Sequence, residues 1–231
     1  MEFIIIGTVS LILLGILKLV FGYKQKELEN IGKDDELDEL AKKYPSNIDI
    51  CKAYLKKLNN ENVKVEQNNN AENSLYIVTT NKIMIADIQK SYTRIQTIAH
   101  ECLHSIQDKK LLWFNFIFSN IYILYFLVVS VLALFRILPY KMIFLSILMM
   151  FGIVYLVVRI YLENDAMIKA RFLAKEYMEE QKISTKKEIE KLVNGFDKIN
   201  NFGIKCVNYY LFMDVITRIF IFSLICLVRW N

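Results

Sequence analysis

LLWFNFIFSNIYILYFLVVSVLALF-RILPYK-MIFLSILMMFGIVYLVV, residues 111–158, is the stretch on which the fold class turns. Its first twenty-five residues, Leu111 to Phe135, carry no charge, and at about 1.5 Å per residue a helix of that length crosses a bilayer with some tilt. The turn that follows holds Arg136, Pro139 and Lys141. Met142 to Val158 then adds seventeen uncharged residues, extended by Arg159-Ile160-Tyr161-Leu162. Two such runs joined by so short a polar turn read as a membrane hairpin over 111–162.

Working outward, the chain has 231 residues, 55% of them hydrophobic, and a mean hydropathy of +0.29, so much of its apolar content is expected to face lipid. Phe3 to Tyr23 is interrupted only by Lys18, close enough to one end to snorkel. No basic n-region or small-residue cleavage site accompanies it, so it reads as a retained anchor over 1–23. The last apolar run, Val207 to Val228 within 207–231, contains Asp214 and Arg218, whose spacing of four lets them pair on one helical face. About four transmembrane helices are expected.

The net charge of +5 does not imply nucleic acid. Residues 23–110 carry fourteen Lys or Arg against fourteen Asp or Glu, and residues 162–207 carry nine against eight, so neither polar region offers a cationic phosphate-binding surface. These regions hold twenty-three of the twenty-nine basic residues, and the positive-inside tendency places both in the cytoplasm with both termini outside. Cys51, Cys102, Cys206 and Cys226 show no CxxC spacing and read as unpaired thiols in a reducing or buried setting.

Within the polar region 24–110, Lys24 to Tyr44 places Leu28, Ile31, Leu37, Leu40 and Ala41 roughly at helical intervals, and Ile48 to Leu58 does the same. Short strands are expected at Val63-Lys64-Val65, Leu75 to Thr79 and Lys82 to Ile85, with Asn-rich turns between them. A helix then runs from about Ser91 or Thr93 to Gln107. An exposed edge of the small sheet could hold an extended peptide beside that helix. In region 163–206, Glu163 to Gln181 favours helix, and Ser184-Thr185 followed by Glu188 marks a new helix start.

That helix contains His100-Glu101-Cys102-Leu103-His104, an HExxH motif that uses both histidines of the chain. Residues four apart share a helical face, so both imidazoles can hold one zinc ion while Glu101, one position on, reaches a water at that metal and serves as general base. A catalytic zinc needs a third protein ligand, here a carboxylate or a thiolate. Glu163 is chosen, because the hairpin that leaves after the motif ends immediately before it. Asp165 is the rival. Two helical positions differ by about 200°, so Asp165 is expected to orient a ligand imidazole through its distal nitrogen instead. Cys102 points away from the face of His100 and His104 and is expected to pack.

Ala99-His100-Glu101-Cys102-Leu103-His104-Ser105-Ile106-Gln107, with Glu163-Asn164-Asp165-Ala166 downstream, resembles the YugP-like membrane zinc metallopeptidases over most of the chain. That family carries AHEVGHAIQ-like and EFDA-like signatures separated by a membrane hairpin. Leu103 stands where the family usually has Gly, and Met167-Ile168-Lys169 replaces a more Ser/Arg-rich stretch. The resemblance implies that His100, His104 and Glu163 are zinc ligands and Glu101 the catalytic carboxylate.

The expectation is therefore a mainly α membrane protein with a small β-sheet and a zincin-like HExxH helix at the membrane surface. It would be a multi-pass cell-membrane enzyme of gluzincin-like type, acting on a protein or peptide substrate from the cytoplasmic side. A non-catalytic zinc-holding membrane scaffold or sensor is the alternative. Asp108-Lys109-Lys110 after the motif favours an interfacial site over one within the lipid.

Overall fold

A computed structural model describes residues 1–21, 31–71 and 73–228. The end of the first expected span, Gly22-Tyr23, and the start of the amphipathic segment with Leu28 lie outside the described residues. The chain is mainly helical and divides into two compact units. One comprises Met1–Tyr23, Phe114–Tyr161 and Lys205–Asn231; the other comprises Lys24–Trp113 and Leu162–Ile204.

Among the described residues, the first unit is built on four helices long and apolar enough to cross a membrane: α1 (Glu2–Phe21) and parts of three others described below. Tyr122, Val129, Leu145, Leu148, Val215 and Phe222 form its core, with Phe3 and Ile6 packed against them. Ile4, Leu124, Ile153 and Val157 are exposed on its outside. Asp214 and Arg218 do pair, with Arg218 Nη2 2.9 Å from Asp214 Oδ1, and the guanidinium lies 4.6 Å from the Tyr122 ring centre.

The second unit begins, among the described residues, with α2 (Asp35–Lys42) and α3 (Asn47–Lys57), capped by Asp34 and Ser46. Strands β1 (Lys64–Gln67), β2 (Leu75–Ile77) and β3 (Lys82–Ile85) form a sheet in the order β1-β3-β2. β1 runs parallel to β3, with Lys64 opposite Lys82; β2 is antiparallel to β3, with Tyr76 opposite Ile83. β2 ends at Ile77, earlier than the expected Thr79, and Asn81 at φ 48° makes the tight return to β3. The motif helix follows as α4 (Arg94–Ile106).

Three long helices complete the chain: α5 (Lys109–Leu134), α6 (Lys141–Gln181) and α7 (Lys186–Leu227). α5 stops at a Schellman turn, in which Arg136 at φ 58° donates its N–H to Ala133 and Ile137 donates to Leu132. The boundary drawn between 162 and 163 separates two chemistries and no secondary structure, since α6 is unbroken over forty-one residues. No Pro occurs in that helix, and its one Gly, Gly152, lies well before the polarity change, so nothing interrupts the backbone there. α7 likewise passes through the 206/207 boundary. It begins at the expected Thr185, whose hydroxyl accepts from Glu188 N–H while the Glu188 carboxylate accepts from Thr185 N–H at 2.7 Å, a capping box.

The second unit is stapled at Arg94. Its side chain is buried, and its guanidinium donates to Ala41 O, Tyr44 O, Pro45 O and Asn47 Oδ1, all at 2.8–2.9 Å. Burial lowers its pKa, but the partners are carbonyls at the negative end of α2, which suit a cation. Arg94→Met would strand these buried acceptors. It is expected to cost about 3–5 kcal/mol of stability, read as a lowered midpoint in thermal or denaturant unfolding of the solubilised protein.

Candidate metal centre

α4 is held by one face and works with another. Ile95, Ile98, Ala99 and Cys102 are fully buried, Tyr54 of α3 donates its hydroxyl to Ile95 O, and Asn60 donates to Ser105 O and Oγ at the far end. Cys102 Sγ lies 3.6 Å from Cys51 Sγ and forms no disulfide with it, so Cys102 packs and does not join the histidines. The opposite face carries His100 and His104, which are partly exposed.

Glu163 on α6 completes the cluster. His100 Nε2 and His104 Nε2 are 3.0 Å apart, and Glu163 Oε2 is 3.6 Å from each. A tetrahedral ion with bonds of about 2.0–2.1 Å spaces its ligands about 3.3–3.4 Å apart, so the observed triangle matches the size such an ion needs to within a few tenths of an ångström. Two imidazoles and a carboxylate also form a donor set suited to zinc. Among the described residues, the grouping that could hold a metal has these three members and no fourth.

Glu101 is placed beside the triangle. One carboxylate oxygen accepts from Tyr76 N–H at 2.7 Å and the other lies 4.0 Å from His100 Nε2. Because β2 is an edge strand and Tyr76 N–H is given to Glu101, this amide points away from β3, toward the motif helix. Burial pushes the Glu101 carboxyl above the ordinary carboxylate range, opposed by His100, His104 and the Tyr76 N–H.

Asp165 does not reach an imidazole, contrary to the role expected of it. His104 Nδ1 instead meets Gln107 Oε1 at 2.8 Å, while Asp165 binds Lys169 at 2.6 Å and approaches Gln107 Nε2 at 3.3 Å. Burial works against ionisation of Asp165, but Lys169 and Gln107 outweigh it and hold its pKa low. The spacing offered one sign of Gln107: it stands three residues after His104, within reach on the same face. Nothing in the spacing showed that the chain would leave the helix at Gln107 and turn its side chain back.

No family model, curated protein or solved structure matches this chain.

Burial alone would lower the pKa of His104, but Glu163 outweighs it and raises the value, with Glu101 and Gln107 acting in the same sense. That attraction stabilises the fold below the ordinary histidine pKa and is lost as pH rises through the raised one. A metal ion held there would therefore compete with a proton for His104. The purified protein is expected to bind one zinc, with affinity falling about tenfold per pH unit on the acid side of the His104 titration. Glu163→Ala should abolish tight binding. A chelator-competition titration across pH measures both.

Proposed function

We propose that this chain is a membrane zinc metallopeptidase, in keeping with its resemblance to the YugP-like family. The observation that carries the reading is the convergence of His100, His104 and Glu163 on one ion-sized triangle with the Glu101 carboxylate beside it. A structural zinc site is closed by four protein ligands, whereas three leave a position for water or substrate.

Zinc held by these residues would acidify a water and polarise a peptide carbonyl. Glu101 then accepts the proton that the attacking water gives up and delivers it to the leaving amine. Its raised pKa makes it a better proton acceptor than an ordinary carboxylate, which suits the first half of that transfer. Tyr76 N–H fixes one oxygen of Glu101, so the other is left to face the reacting atoms. An extended peptide substrate would lie beside β2 next to Glu101, without the Tyr76 N–H, which Glu101 already takes.

The four apolar helices support a multi-pass protein of the cell membrane. The charge asymmetry of the loops supports a site on the cytoplasmic side, with lipid and a protein substrate as partners and no nucleic acid. His104 is five residues from the start of α5, and Glu163 directly follows the apolar run of α6. Both distances favour a site at the bilayer surface.

Glu101→Gln separates the two readings. The variant should keep its zinc, by elemental analysis, and lose at least about a hundredfold in cleavage of a membrane-protein substrate mixture. Equal cleavage by both proteins would exclude this mechanism. Zinc retained by both without cleavage by either would favour the non-catalytic scaffold.

A further inference from the structure

Gln107 lies between the two chain segments that supply the cluster. It is the C-cap of α4, with extended backbone at φ −61° and ψ 161°, which takes the main chain off the helix axis after Ile106. Its amide nitrogen donates to Leu162 O at 2.8 Å and approaches Asp165 Oδ2 at 3.3 Å. Leu162 and Asp165 flank Glu163 in α6.

The chemistry of these partners removes the usual ambiguity of an amide. The Leu162 backbone carbonyl can only accept, and the Asp165 carboxyl oxygen lies on the same side of the amide. The NH2 group of Gln107 must therefore face them, and its oxygen must face His104. An amide oxygen can only accept as well, so His104 Nδ1 has to be the protonated nitrogen. In the neutral ring Nε2 is then left with the lone pair, on the side of His100 Nε2 and Glu163 Oε2.

We propose that Gln107 is a positioning residue. It selects the metal-ready tautomer of His104, and it ties the motif helix to the turn of α6 that carries Glu163. The second role rests on the zinc reading above, whereas the first does not. An imidazole without such a partner divides its neutral form between two tautomers, only one of which presents Nε2 to a cation. A tether at both flanks of Glu163 also keeps the carboxylate from turning away while the site is empty or exchanging its ion.

The test uses the full chain in lipid nanodiscs with ¹⁵N-labelled histidine, at a pH where both imidazoles are neutral. With two histidines in the chain, His100→Ala suffices to assign the ring signals. Wild-type His104 should show a protonated Nδ1 and a bare Nε2. Gln107→Leu should mix the two tautomers and weaken zinc binding by about 10–100-fold. Gln107→Glu keeps the acceptor but loses both donations, so it should restore the Nδ1–H tautomer while zinc binding stays weakened. Gln96→Leu cuts a different buried contact of α4, to Asn200, and should lower thermal stability without moving the tautomer. A wild-type tautomer and zinc affinity in Gln107→Leu would overturn the proposal, as would mixed tautomers in Gln96→Leu. If wild-type protein binds no zinc, the metallopeptidase reading and the tether role fail, and the tautomer comparison still decides the first role.

Discussion

Burial of one face of α4 is the constraint on which the site depends. Ile95, Ile98, Ala99 and Cys102 are removed from solvent against α3 and its neighbours, and each large side chain so buried contributes about 1.5–3 kcal/mol. A helix anchored in this way has no freedom to roll. His100, Glu101 and His104 are therefore presented in a fixed direction by groups that have no chemistry of their own. Arg94 secures the start of the same helix by gathering the carbonyls of the α2–α3 turn.

The polar groups at the site are satisfied by partners that also impose direction. Glu101 is buried and would resist ionisation, but a backbone N–H from the sheet edge and two imidazoles offset part of that cost. His104 is bracketed by an amide oxygen on one side and a carboxylate on the other, so its two ring nitrogens face chemically distinct neighbours. The arrangement suits an ion that replaces a proton.

Much of this was readable before any coordinates. The uncharged lengths of 111–135 and 142–158 announced membrane-length helices because a bilayer sets a minimum apolar length. The HExxH spacing placed two imidazoles on one face because a helix repeats every 3.6 residues. Glu163 was chosen because the hairpin returns immediately before it, and periodicity kept Asp165 from joining it; in the structure Glu163 joins the histidines while Asp165 does not. Less was readable where contacts are long in sequence. The parallel pairing of β1 with β3, the donation from Tyr76 to Glu101 and the carbonyl cradle of Arg94 all join residues without a periodic relation.

The amino-acid sequence by itself determined the local chemistry: which segments are too apolar for water, which residues share a helical face, and where helices start at Thr185 or stop before Pro139. These follow from short-range sterics, periodicity and transfer free energy, all of which act within a few neighbouring residues. Only the tertiary structure decided that three donor atoms converge within 3.6 Å and that Gln107, in place of Asp165, meets His104. Such contacts depend on how buried faces pack and on where a backbone leaves its helix, and those are properties of the whole folded unit.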